Sequence, residues 1–185
     1  FKGARALQLL KFIKAPYTAF QELKDIDSQY NFKASTQVVK SKDQLKLPEG
    51  FTPIITGRGL TRDKSYNYLL SRGITSQDVV KYNIGYIEEG PLNNFIITPS
   101  YDRDGFLNYW VGRSFDSNAY HKHKLPPASK DIIGFDMLIN FNLPLILCEG
   151  AFDAIALKRN AIPLFGKKIS KTLYKELVRS KVKQI

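Results

Sequence analysis

At 185 residues the chain suits one domain, or one domain with an appendage, and is long enough to bury a core. Its 43% hydrophobic and 24% charged composition excludes a disordered polymer, and no apolar run approaches the ~20 residues a membrane-spanning helix needs. The net charge of +11 directs attention to an anionic partner: nucleic acid, a nucleotide or a membrane surface. The excess is terminal. Residues 1–50 carry nine basic and five acidic groups, 51–157 ten and eleven, and 158–185 nine and one. One cysteine, Cys148, excludes an internal disulfide, and nothing resembles a signal peptide or an acylation motif, so a reducing, cytoplasmic setting is expected. His121 and His123 offer no zinc-ligand spacing with that cysteine. The chain opens on Phe1 and stops at Ile185 in what reads as the start of a strand, so it is expected to be part of a longer polypeptide.

In chain order, apolar residues at 6, 9, 10 and 13 predict a helix over 3–14, ended by Pro16, with a second short helix over 17–27. Residues 29–50 are polar and weakly patterned and read as a linker. Thr61 to Ser71 predicts a capped helix closed by Gly73, and Thr75-Ser76-Gln77-Asp78 opens another that carries Val79, Val80 and Tyr82. Strand-like runs follow at 84–87, 94–99 and 106–113, the last two joined by an Asp104-Gly105 hairpin signal. Residues 114–131 are irregular and basic, and a short helix is expected over 135–141. From 143 the pattern becomes regular: strand 143–148, helix 151–160, strand 162–166, helix 170–180 and a third strand from Val182. Such βαβαβ alternation calls for a parallel sheet with right-handed crossovers.

The sharpest local feature is Leu147-Cys148-Glu149-Gly150-Ala151-Phe152-Asp153. A carboxylate directly after an apolar strand sits at the sheet edge where open parallel sheets bind ligands. Gly150 permits a tight turn, and Asp153 falls in the helix's first turn, where its charge complements the dipole. Taken alone, such an acid is more often just a helix cap. Asp102-Arg103-Asp104 has the spacing of a metal-binding pair, but Gly105 and the flanking strands assign it to a turn. Tyr109, Trp110, Phe115 and Tyr120 could stack bases or simply fill a core. Lys167, Lys168, Lys171, Lys175, Arg179, Lys181 and Lys183 surround the last helix and suit phosphate contacts, subunit docking or plain solvation.

Glu149-Gly150 with Asp153 and Leu157 resembles the Glu-Gly-x-x-Asp-x-x-x-Leu opening of the Toprim domain in DnaG-type primases. The preceding segments keep that family's order. Tyr68-Leu69-Leu70-Ser71-Arg72-Gly73-Ile74 leading to Ile84-Gly85-Tyr86 is similar to the helical start of its RNA polymerase domain. Phe95 to Pro99, Asp104-Gly105 and Val111-Gly112-Arg113 resemble its hairpin, and Tyr120 to Phe135 its lysine-bearing segment. The resemblance covers 51–185, and its divergence suggests a bacteriophage member. It implies an α/β fold in four parts: a helical remnant after a zinc ribbon (1–28), a linker (29–50), an α+β subdomain (51–141) and the truncated start of a Toprim-like βαβαβ sheet (142–185).

The same resemblance implies a DNA primase, making short RNA primers on single-stranded DNA from ribonucleoside triphosphates, with a replicative helicase as partner and no membrane. Glu149 would be the catalytic glutamate and a partial metal ligand for Mg2+ or Mn2+, the remaining acids lying beyond Ile185. Lys122 and Lys130 would be the active-site lysines, with Lys124 a competitor, and Arg113, Lys124, Lys167, Lys168 and Gly150 would contact nucleic acid or nucleotide. Zn2+ would belong to an upstream domain. Another Toprim enzyme, a topoisomerase or nuclease, and a non-catalytic single-strand-binding or helicase-docking module are the alternatives.

Overall fold

The computed structural model describes residues 45–180 and 182–185. The helices expected over 3–14 and 17–27, the zinc-ribbon remnant, all of the linker before Leu45 and Lys181 lie outside the described residues.

The first part of the described chain is an antiparallel meander. Strands β1 (Thr52–Pro53), β2 (Gly85–Ile87), β3 (Phe95–Tyr101), β4 (Leu107–Ser114) and β5 (His123–Lys124) pair in sequence order. Helices α1 (Leu60–Ser71) and α2 (Ser76–Lys81) form between β1 and β2. The helical hairpin follows the expected bounds, with one change at its start. Helix α1 begins at Leu60 after Gly59, and no side chain caps it, so Thr61 lies inside the helix. In α2 the local chemistry acts as expected. The Thr75 hydroxyl accepts from the Asp78 N–H while the Asp78 carboxylate accepts from the Thr75 N–H, a reciprocal capping box.

Period-2 alternation decides which side chains meet which layer. Tyr86, Ile96 and Tyr109 point to the face covered by Leu69 of α1 and Val79 of α2. Ile87, Phe95, Ile97 and Trp110 point the other way, onto Leu45, Leu47, Phe51 and Leu92. Both faces are thus covered, which is why β3 reads as an almost unbroken buried run. Pro99, which has no N–H to give to a ladder, lies beyond the end of the β2 pairing, where β3 keeps β4 as its partner. The Asp102-Arg103-Asp104-Gly105 segment is a hairpin turn. The Asp102 carboxylate accepts from the N–H groups of Asp104 and Phe106, and Gly105 sits at φ +84°.

The second part is parallel. A single 3-10 turn (Asp136–Leu138) replaces the expected helix over 135–141, and β6 (Ile146–Cys148), α3 (Ala151–Ala156), β7 (Ala161–Pro163) and α4 (Lys171–Arg179) follow. Strands β6 and β7 pair in parallel, Ile146 opposite Ala161 and Cys148 opposite Pro163. Helix α3 is shorter than its apolar pattern suggests, because the chain leaves helical geometry at Lys158, φ +54°. Helix α4 starts where expected, with the Ser170 hydroxyl accepting from the Leu173 N–H. Residues 182–185 form no strand, yet the Leu145 N–H donates to the Gln184 carbonyl at 3.1 Å, while the next amide, Ile146, donates to Asn160 beside β7. Successive amides of an extended chain point to opposite sides, so the chain after α4 returns along the edge of β6 away from β7.

The two helices occupy opposite faces of this small sheet. Ala151, Ala154 and Ile155 of α3 join Cys148, Ala161 and Phe165 in the core shared with the antiparallel part. Leu173 and Leu177 of α4 instead meet Leu145, Leu147, Ile162 and Leu164. The connection between the two parts passes close over β7 at Gly134, where a β-carbon would stand 2.3 Å from the Pro163 carbonyl oxygen. No other residue fits that approach.

Candidate functional site

Helices on opposite faces, with the chain leaving β6 first toward β7 and later returning on its other edge, make the C-terminal end of β6 a topological switch point. A crevice forms there because the two connections diverge. Glu149 is the first residue past that end. Its side chain is exposed, and its carbonyl accepts from the Gly166 N–H at 3.2 Å, which ties the β6 end to the β7 end. Gly150 is extended and precedes α3. A β-carbon there would lie 3.0 Å from an oxygen of the Asp153 carboxylate, which folds back over the turn.

Facing this edge is the antiparallel sheet. A cleft of about 510 Å³ is lined by Glu149, Gly150 and Asp153 on one side and by Arg72, Arg113 and His123 on the other, with Phe165 and Gly166 among its lining. The basic side is a connected set. Tyr68 of α1 accepts through its hydroxyl from Arg113 Nε at 3.1 Å and from Arg72 at 3.2 Å. Arg72 also lies over the Tyr68 ring, and Tyr68 meets Phe152 of α3 at 6.4 Å between ring centroids. Burial pushes the Tyr68 hydroxyl up, but hydrogen bonds and charge from Arg113 and Arg72 outweigh it and hold the group below the ordinary tyrosine range. Two guanidiniums are therefore aimed by one phenol, across the cleft from two carboxylates. The arrangement can hold a phosphate ester or polyphosphate near Glu149 through charge-assisted hydrogen bonds.

The expected site residues divide by face. Arg113 and Glu149 share the cleft. The β4–β5 register sets Arg113 opposite His123 and Gly112 opposite Lys124. A β-carbon on Gly112 would touch Phe95, Ile97 and Lys124, so Lys124 belongs to the reverse face. There it borders an apolar groove of about 630 Å³ with Trp110 and Tyr120. Lys122 is exposed, and its carbonyl accepts from Ser114. Lys130 donates to the Phe165 carbonyl at 2.8 Å, so its ammonium lies beside the β7 end of the cleft. Lys167 and Lys168 are exposed just after Gly166, and Lys171, Lys175 and Arg179 are exposed along α4. Tyr109 and Trp110 are buried in the two cores, and Tyr120, 94% exposed, belongs to the reverse groove.

His123 and Arg72 line the cleft, and Tyr68 holds its arginines from behind, without having been singled out as site residues. The alternation of a strand through 122–124 is the signal for His123, but two paired residues are too few to display it. For divalent metal, Glu149 and Asp153 are the acids at hand. Among the described residues no group of three His, Cys, Asp or Glu gathers to hold an ion. That donor set does not complete the octahedral oxygen shell of Mg2+ or Mn2+.

No protein-family model matches the chain. An uncharacterized protein of Mycoplasma genitalium is 30% identical over 132 residues, covering 66% of this chain and 59% of that protein. The expected bacteriophage origin finds no support in this relative. Among solved structures, a DNA primase domain from Pseudomonas aeruginosa has a TM-score of 0.58 at 19% identity, covering 70% of this chain and 55% of that one. The Aquifex aeolicus primase, comprising zinc-binding and RNA polymerase domains, has a TM-score of 0.56 at 16% identity, covering 69% and 42%. The RNA polymerase domain of Mycobacterium tuberculosis primase DnaG, in complex with double-stranded DNA, has a TM-score of 0.57 at 12% identity, covering 70% and 56%. The chain thus spans about half the length of these primase structures. What they share with it is the fold: an antiparallel α+β part followed by a parallel sheet, as in primase catalytic cores. Among the described residues no helix is long and apolar enough to cross a membrane.

Proposed function

We propose that the chain is the template- and nucleotide-handling portion of a DNA primase, a nucleotidyltransferase that makes short RNA primers on single-stranded DNA. The observation that carries this reading is the cleft itself. Glu149 stands at the switch point of the parallel sheet and faces Arg113 and Arg72 from the other half of a primase-like fold. Phosphoryl-type transfer needs positioning and charge neutralisation around a polyphosphate, with little covalent chemistry from the protein. In this reading Arg113 and Arg72 hold phosphate oxygens, and Tyr68 keeps the two guanidiniums aligned. Lys130, Lys167 and Lys168 add positive charge along the β7 side. The Glu149 carboxylate takes or returns the proton of the attacking ribose hydroxyl. Mg2+ or Mn2+ is the proposed metal, and Glu149 and Asp153 alone do not complete its oxygen shell. Single-stranded DNA, ribonucleoside triphosphates and a replicative helicase are the proposed partners.

Glu149→Gln tests the reading, with primer synthesis on single-stranded DNA and ribonucleotides as the readout. Synthesis should fall at least a hundredfold, on the order of the contribution of a positioned acid or base, with an unchanged thermal melt. Undiminished synthesis would remove Glu149 from its assigned role. DNA cleavage independent of ribonucleotides would favour a topoisomerase or nuclease, and binding without either reaction a docking module.

A further inference from the structure

We propose that His123 is a third anion-binding residue of the cleft and makes phosphate binding there depend on proton uptake. The geometry begins with the β4–β5 register. His123 is the one residue of β5 that faces the cleft, directly across from Arg113, while its neighbour Lys124 lies on the opposite face of the sheet. His123 Nε2 contacts an Nη of Arg113. A guanidinium has only donors. The contact is therefore a hydrogen bond when Nε2 is unprotonated, with the imidazole neutral and accepting from arginine. An anion entering between Arg113 and Glu149 supplies a new acceptor for Arg113, and the freed Nε2 can take up a proton and donate to the same anion. Three cations then flank the phosphate in place of two.

The surroundings favour this exchange. Burial pushes the imidazole below its ordinary range, and the Arg113 charge does the same, so both favour the neutral form of His123. The charged and titratable groups of each neighbouring element are Arg113 from β4, Tyr68 from α1 and Arg72 just past its end, Glu149 and Asp153 at the β6–α3 turn, and Lys122 and Lys124 beside His123 in the chain. Arg113 is the group in direct contact, and its repulsion is what a bound phosphate offsets. The sign follows. Anion binding raises the imidazole's affinity for protons, so anions bind more tightly as pH falls through the histidine range, by up to about tenfold per pH unit for one linked proton.

The proposal rests on the reading of the cleft as a phosphate site, but its test reads binding alone and stands apart from primer synthesis. The full chain is titrated between about pH 5.5 and 8.5 with two probes. One is a 5′-unphosphorylated oligo-dT, whose phosphodiesters do not titrate in this range. The other is inorganic tripolyphosphate. Comparison with His123→Gln at each pH cancels the tripolyphosphate's own titration and any contribution of His121. Wild type should bind up to about tenfold more tightly per unit of falling pH. His123→Gln should remain at the weak, high-pH level throughout, and His123→Lys should bind tightly across the range. Either probe showing this pattern supports the proposal: tripolyphosphate alone assigns the site to the nucleotide, the oligonucleotide alone to the template. A His123→Gln profile parallel to wild type for both probes overturns it, as does a His123→Lys variant that melts like wild type and binds no better than His123→Gln.

Discussion

The antiparallel and parallel parts of the molecule are held together by different means. The antiparallel sheet has seven- and eight-residue strands, β3 and β4, and apolar cover on both faces. The parallel pair has two three-residue strands and draws much of its support from outside itself. Ile155 of α3 and Phe165 after β7 sit in the core that α1, α2 and the antiparallel sheet also fill. The Phe165 ring stacks on Tyr109 at 5.0 Å and meets Phe135 edge-on at 6.1 Å. Polar ties cross the same seam. Lys158 pairs with Asp78, and Arg103 at the β3–β4 hairpin bridges Asp136 and Glu176 at 3.2 and 3.1 Å. The lesson is functional as well as structural. Glu149 belongs to one part and Arg113 to the other, so the seam that stabilises the parallel part also sets the width of the cleft.

If the two parts share a core, damage on the parallel side should unfold both. Ile155→Ala removes a side chain that is 1% exposed and should cost about 2–5 kcal/mol. In thermal denaturation followed by both far-ultraviolet dichroism and Trp110 fluorescence, the two signals should fall together. Separate transitions, with Trp110 unaffected, would show that the parts fold independently.

The Lys158–Asp78 tie gives a smaller, pH-dependent effect. Burial pushes the Asp78 carboxyl up, but its hydrogen bonds with Lys158 and Thr75 outweigh that and hold it below the ordinary aspartate range. A group with a depressed folded-state pKa stabilises fully above its unfolded value and loses that contribution as pH falls through the folded one. Asp78→Asn should therefore lower stability by roughly 1–3 kcal/mol at neutral pH, and the two melting curves should converge below about pH 4. A constant gap down to pH 2 would assign the loss to packing alone.

What the sequence disclosed follows the same division. Long apolar and aromatic runs made β3 and β4 legible, and Asp104-Gly105 placed their turn. The capping box at Thr75 and Asp78 placed α2, and the apolar run ending at Glu149 located the sheet edge. Four features were not legible. Helix α3 is shortened by a left-handed residue, Lys158, that no composition rule marks. Gly134 is required by a backbone 29 positions away at Pro163, a distance over which sequence pattern carries no signal. The facing of His123 against Lys122 and Lys124 depends on the register of a two-residue strand. Arg103 looked like part of an acidic turn, and only its partners at 136 and 176 reveal it as a clamp across the seam.

The central claim is that phosphate is handled on the cleft face of the β4–β5 ladder and not on its reverse. Oligo-dT binding measured over a series of salt concentrations for Arg113→Ala and Lys124→Ala tests it most directly, because the two residues flank the same pair of strands and point to opposite sides. Arg113→Ala should weaken binding several-fold and reduce the slope of log affinity against log salt by about 0.7, the value for one lost single-strand phosphate contact. Lys124→Ala should leave both quantities near wild type. A loss for Lys124→Ala equal to or greater than that for Arg113→Ala would put the nucleic acid on the reverse groove and contradict the account.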